Sequence, residues 1–408
     1  FHKVSRLRWT SVIMNLGIFR AVAAGPLVGE AEASFGAWRP LFWIVAAIAT
    51  AAFVLVVLTF EDAPAADRSA PFDLPAIGLA AVGCVAAFFG ASELASGPFD
   101  QAATLGPLLG GLVLIVALLV YQYRGKRVLL GVRSLATTLP VAGIVVAVCA
   151  AAASVSAIVV ELHLMAGRFA PLHLGLLYLP ELGAAVITAA IFGAVFNRRL
   201  LHALPFFGMA CLCAGTAAMA LVSPSATLAL AGSGLVGLGV GAAVAPALFV
   251  AGWSLPSAAL QRVFAIVELL RAGAAFMVAP ILLHVATGSG GAGTSGSTIA
   301  LWATFGLAAC GAIVGAGLYA LGGVRPAAPA VETWFGGKEP GWDSPPLLAR
   351  LRPPPSGPVD RVTVERAAPM DPQSASVTQR EPELDLPEGA LSGAGAVGRR
   401  RPDDGDAA

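Results

Sequence analysis

Runs of about twenty apolar residues alternate along this chain with short polar connectors, and the length of each run decides the element it predicts. A helix needs roughly 20 apolar residues to cross about 30 Å of hydrocarbon. Ten segments meet that requirement: 8–30, 40–60, 74–95, 103–123, 138–162, 171–195, 203–222, 226–252, 262–285 and 299–322. Strand barrels would alternate apolar and polar positions instead, a pattern these segments lack. Lipid offers no partner to an unpaired backbone amide, so each segment is predicted to be a helix. The predicted fold class is an all-α integral membrane protein with about ten transmembrane helices.

The polar connectors give an orientation. Lys3, Arg6 and Arg8, then Arg68, then Arg124, Lys126, Arg127 and Arg133, then Arg198 and Arg199, Arg262 and Arg325 fall on one side, against Arg39 and Arg168 on the other. Cytoplasmic connectors collect Lys and Arg. A multi-pass protein of the cell membrane with both ends in the cytoplasm is expected, with an even number of spans.

Composition narrows the class. Of 408 residues, 57% are hydrophobic and 12% charged, where a soluble domain would carry about a quarter charged residues. The net charge of +1 makes no case for a nucleic-acid partner. The five cysteines, Cys84, Cys149, Cys211, Cys213 and Cys310, all lie in apolar runs and read as small apolar filler; Cys211 and Cys213 point about 200° apart on a helix, a poor chelate. No H-E-x-x-H, G-x-S-x-G or G-K-[ST] motif occurs, so neither enzymatic activity nor a bound metal is expected. The start at Phe1 reads as a cut. From residue 323 the chain changes character, taking close to half of its 29 prolines with charges of both signs. Such a composition buries too little surface to offset the entropy of ordering, so 323–408 is expected to be a disordered cytoplasmic tail. The Gly- and Ser-rich stretch 288–297 reads as a flexible external loop.

Ionisable side chains within spans are costly and point to function. Arg20 lies near the middle of 8–30 and Glu181 follows Pro180 near the middle of 171–195, with no basic residue within a turn. A carboxyl group so placed is suited to carry a proton. Glu268 and Arg271 are three residues apart, on one helix face, and can pair. Glu161, Glu93 and His284 sit near outer ends, where a side chain reaching interfacial water is expected. Gly237 and Gly241 share a face on 226–252, and small residues let transmembrane helices approach closely.

Several motifs together resemble a known family. "AAGPLVGE" followed by "FGAWRPLFWI" is similar to the antiporter signature of the major facilitator superfamily, G-x(8)-G-x(3)-G-P-x(2)-G-G, and to the W-R-x-x-F that opens its next helix. Gly25, Pro26 and Gly29 match the first, and Trp38, Arg39 and Phe42 the second, while Ala21 and Glu30 stand where glycines are usual. "PFDLPAIGLAAVG" from Pro71, "APLHLGLLYLP" at 170–180, "GLVGLGVGAAVAP" and "VELLRAGAAFMVAP" resemble the fourteen-helix drug:proton antiporter branch, and "NRRLLHALPFFG" resembles a degenerate second copy of its cytoplasmic loop motif, with Asn197, Arg198 and Arg199.

The resemblance implies a major facilitator-type bundle entered at its fifth helix. Residues 1–60 would close the amino-terminal half, 61–137 would hold two inserted helices and a cytoplasmic loop, and 138–322 would be the six-helix carboxy-terminal half. It implies a secondary transporter, exporting hydrophobic or amphipathic small molecules against inward proton flow. The proton gradient would stand in place of a cofactor, and the missing amino-terminal helices would be the partner. Glu181 would be a protonatable cavity residue, Glu268 with Arg271 a switchable pair, Arg20 an anchor near the half interface, and Gly25 with Pro26 a kink. A transporter of one specific metabolite, lipid or siderophore on the same fold stays open. So does a non-transporting sensor or scaffold that acts through the tail.

Overall fold

A computed structural model describes residues 2–36, 39–59, 73–94, 98, 101–125, 135–221, 225–257, 260–288, 295–335 and 339–351. The polypeptide forms α1 (His2–Ser34), α2 (Arg39–Thr59), α3 (Leu74–Glu93), α4 (Ala102–Arg124), α5 (Thr138–Met165), α6 (Pro171–Leu176), α7 (Leu179–Val195), α8 (Leu204–Leu221), α9 (Ala226–Trp253), α10 (Leu260–Gly288), α11 (Ser295–Gly322) and the short α12 (Val331–Phe335). Among the described residues no strand is present, and nine helical segments are long and apolar enough to cross a membrane, with α6 and α7 together counting as one. This is the character of a multi-pass membrane protein. Helix α1 covers the remaining expected segment.

The core lies among α5 and α7–α11. Helix α5 packs against α9, α10 and α11, while α9 is also lined by α7 and α8. These contacts are made largely by Ala, Gly and Val: Ala147, Ala150, Ala153, Ala157, Val160, Val236 and Ala243 are all buried. Small side chains replace the hydrophobic force that lipid does not supply. Helix α1 lies along α6 and α7. Helix α2 buries none of its residues.

Helices α3 and α4 form a close hairpin. A Cβ on Gly90 would come within 2.7 Å of the Leu108 Cα, and one on Gly111 within 2.7 Å of the Ala87 Cα. Asp73 fastens the open end. Its Oδ1 accepts from the Ala76 amide at 3.2 Å and from the Tyr121 hydroxyl at 3.1 Å, and its Oδ2 from Gln122 Nε2 at 3.1 Å. One carboxylate thus caps α3 and holds the last turn of α4. Asp73→Ala is expected to cost about 1–2 kcal/mol and to speed amide exchange in the first turn of α3; unchanged exchange there would contradict the cap. The hairpin rests on α10, where His284 Nδ1 lies 2.9 Å from the Leu94 carbonyl and Phe88 meets Phe276 edge-on at 6.1 Å.

Two expectations need correction. Residues 171–195 form two helices, broken at Leu177 and Tyr178. The chain beyond 323 does not turn to disorder at once: 323–335 and 339–351 fold back across one end of the bundle. Gly323, at φ 71°, ends α11 in a left-handed turn, and Trp342, 5% exposed, then packs against His202 with the rings tilted at 34° and 4.2 Å apart. The Gly341 and Trp342 amides donate to the Trp253 carbonyl at 2.7 and 3.0 Å, and the Thr138 amide donates to the Pro345 carbonyl at 3.0 Å. Leu139 N donates to Ser344 Oγ at 3.0 Å. The last carbonyl of α9 and the first two amides of α5, which no helix can satisfy internally, find their partners in this strap. Residues 352–408, most of the expected tail, and 289–294 of the expected external loop lie outside the described residues.

Candidate functional site

The break between α6 and α7 builds a site around Glu181. Pro180 has no amide to donate and sits in the first turn of α7, where a helix needs none. The chain crosses the gap on tight turns: the Tyr178 amide donates to Gly175 O at 3.1 Å and the Glu181 amide to Tyr178 O at 3.0 Å. That second bond leaves the Leu177 carbonyl without its helical partner, and the Ser233 hydroxyl of α9 fills the vacancy at 3.1 Å. Non-helical backbone at membrane depth persists only where neighbours satisfy it in this way.

Glu181 enters the first turn of α7 with its side chain 0% exposed. Neither carboxyl oxygen has a hydrogen-bond partner among the described residues. Burying a carboxylate without partners is costly unless it takes up a proton. Helix α9 presses on this turn through glycines: Gly234 faces Pro180, Gly237 faces the Glu181 backbone and Gly241 faces Thr188. Asn15 of α1, fully buried, reaches the same place with Nδ2 3.4 Å from the Gly241 carbonyl.

Two further buried groups stand nearby that the sequence reading did not assign to the site. The Tyr178 hydroxyl lies within electrostatic reach of Glu161, Glu181 and Glu30. Its oxygen and Glu161 Oε2 are buried with no hydrogen-bond partner among the described residues. Glu161 is only 3% exposed, which corrects the expectation that it reaches interfacial water. Depth along a span does not reveal lateral cover, and α5 is surrounded by neighbours over nearly its whole length.

The Glu268–Arg271 pair forms as the spacing predicts, with Arg271 Nη2 2.6 Å and Nε 3.0 Å from Glu268 Oε2. It is separate from Glu181. Glu268 instead borders an apolar cavity of about 280 Å³ between α1, α9 and α10, with Thr10, Met14, Phe249, Phe264 and Trp334 among its walls.

The remaining expected residues fall elsewhere. Pro26 lies inside an unbroken α1, and among the described residues Gly25 and Gly29 have no atom within 4 Å of an added Cβ. The close approach there belongs to Gly175 of α6, whose Cβ would meet the Leu27 Cα at 3.0 Å and Glu30 Cβ at 3.1 Å. Asn197, Arg198 and Arg199 are exposed in the turn after α7, beside Ala327 and Ala328 of the strap. Arg20 lies within α1, but its side chain, like all of Trp38, is outside the described residues. Among the described residues no group of three His, Cys, Asp or Glu side chains could hold a metal ion. No protein-family model and no curated protein matches the chain.

Proposed function

We propose that this chain is the greater part of a secondary active transporter of the major facilitator type, resident in the cell membrane with both ends cytoplasmic. It moves hydrophobic or amphipathic small molecules outward at the expense of protons entering. The observation that carries the reading is Glu181, an unpartnered carboxyl group set in a broken helix and pressed against a glycine track. Transporters use interrupted helices near the bilayer midplane to form their ion and substrate sites. A group that is neutral when enclosed and ionised when wet binds and releases a proton as its surroundings alternate. The glycines of α9 give α7 a surface free of side chains, suited to small displacements. In this reading α2, which buries none of its residues, packs on helices that this chain does not supply.

The test is efflux of a fluorescent lipophilic cation such as ethidium from membrane vesicles containing the protein, driven by an imposed pH gradient. Glu181→Gln keeps the shape and removes the titratable proton. It is expected to reduce gradient-driven flux by about 100-fold, the low end of the range for a group that relays protons, while ethidium binding persists. Flux in Glu181→Gln with the wild-type dependence on the gradient would exclude the assignment.

A further inference from the structure

We propose that Trp334, carried by the strap that follows the last long helix, is a wall of the substrate cavity and sets which ligands the cavity holds. The proposal rests on the transporter reading above and extends it to a segment beyond the bundle. The cavity of about 280 Å³ is bounded by Thr10 and Met14 of α1, Phe249 of α9, and Phe264 and Glu268 of α10. Trp334 of α12 completes this lining.

Its indole is held on several sides. Trp334 Nε1 donates to the Leu255 carbonyl at 3.0 Å, and the Trp334 carbonyl accepts from the Ser257 hydroxyl at 3.0 Å. The ring lies against Trp253 at a centroid separation of 4.7 Å. The start of α12 is tied in turn, since the Trp334 amide donates to Ala330 O at 3.1 Å and the Ala330 amide to Gly341 O at 2.8 Å. An indole fixed by its polar edge presents its apolar face, and that is the part of the side chain useful to a ligand.

The chemistry of the lining identifies the ligand class. Among the described lining residues the polar side-chain groups are the Thr10 hydroxyl, the indole N–H of Trp253, that of Trp334, which is turned to the Leu255 carbonyl, and the Glu268 carboxylate, already held by Arg271. An amphipathic cation with aromatic or aliphatic bulk fits: the bulk displaces water from apolar walls, and the charge competes with Arg271 for Glu268. Aromatic faces of Trp334, Phe249 and Phe264 add cation–π attraction. Removing the indole opens one side of the cavity, so a bound ligand loses contact area and leaves part of its apolar bulk in water.

The experiment is equilibrium dialysis of tetraphenylphosphonium against the purified full chain in detergent. Trp334→Ala is expected to weaken binding by about tenfold or more, and Trp334→Phe, which keeps an aromatic wall, to stay within about threefold. Thermal unfolding identifies the folded variants. A second variant, Trp334→Cys, is labelled with a maleimide, and tetraphenylphosphonium is expected to slow that labelling, a readout that applies even where alanine prevents folding. Wild-type affinity in folded Trp334→Ala, or labelling indifferent to the cation, overturns the proposal and leaves the transporter reading standing. Absence of tetraphenylphosphonium binding to the wild-type chain overturns the assignment of this cavity as a substrate site, and Trp334's role with it.

Discussion

Gly237→Leu is expected to abolish accumulation of the folded protein, and Gly306→Leu to leave it unchanged. Both glycines sit in long apolar helices, and sequence alone does not distinguish them. A Cβ at Gly237 would stand 2.7 Å from the Glu181 carbonyl oxygen, 2.8 Å from its Cα and 2.9 Å from its Cγ, while one at Gly306 meets nothing within 4 Å among the described residues. The obstruction at Gly237 is mostly backbone, in a turn already fixed by Pro180 and by the Ser233 bond to Leu177. Rotamer changes therefore cannot relieve it. Even a modest overpacking costs about 1–3 kcal/mol, and a leucine would have to separate α7 from α9 along the site. Alanine is expected to fold with a lowered melting temperature. The check is the yield of monodisperse protein in detergent together with its melting curve. Leucine at 237 with wild-type yield would show that α7 and α9 are farther apart than described.

The second large effect is expected from Trp342→Ala. Trp342 packs against His202, and its amide closes the end of α9 on the Trp253 carbonyl. Truncating a buried tryptophan costs about 3–5 kcal/mol. The loss should not stop at the cavity, because Ser344 and Pro345 follow at once and satisfy the first amides of α5. A cap contributes about 0.5–2 kcal/mol. A fall in melting temperature of roughly 10 °C is expected, with faster amide exchange at Thr138 and Leu139. A melting temperature within about 2 °C of wild type would mean that the strap adds nothing to the bundle. This bears on experiments that truncate the tail to seek a signalling partner. A deletion from residue 330 removes Trp334 and Trp342 as well, so a clean deletion starts after Leu351.

Much of the bundle was legible because the signal is long: twenty apolar residues outweigh local ambiguity, and each expected span from 40–60 to 299–322 overlaps helical structure. The Glu268–Arg271 pair and the shared face of Gly237 and Gly241 followed from helical spacing alone. The break at Leu177 escaped because both pieces are apolar, and a hydropathy window does not sense backbone hydrogen bonds. Pro180 directly before Glu181, with Gly175 five residues earlier, was the available signal. The strap was hidden by its own composition. Averaged over 323–408, proline and charge dominate, yet Trp334 and Trp342 stand in its first third, and large aromatics are scarce in chain that stays solvated. Glu161 was misread for another reason: sequence gives its depth in α5 but says nothing of which neighbours surround it.

The strap also sets an order of events during synthesis. Thr138 and Pro346 are separated by 208 positions and Leu139 and Ser344 by 205. At about 5–20 residues per second, roughly 10–40 s pass between the emergence of the start of α5 and that of its cap. During that interval the nascent protein adds α6 to α11 while one end of α5 stays unfinished, dependent on water or a chaperone for its first amides. A ribosome that stops near residue 340 would release a product that holds α1 to α11 and is still marked by that open end.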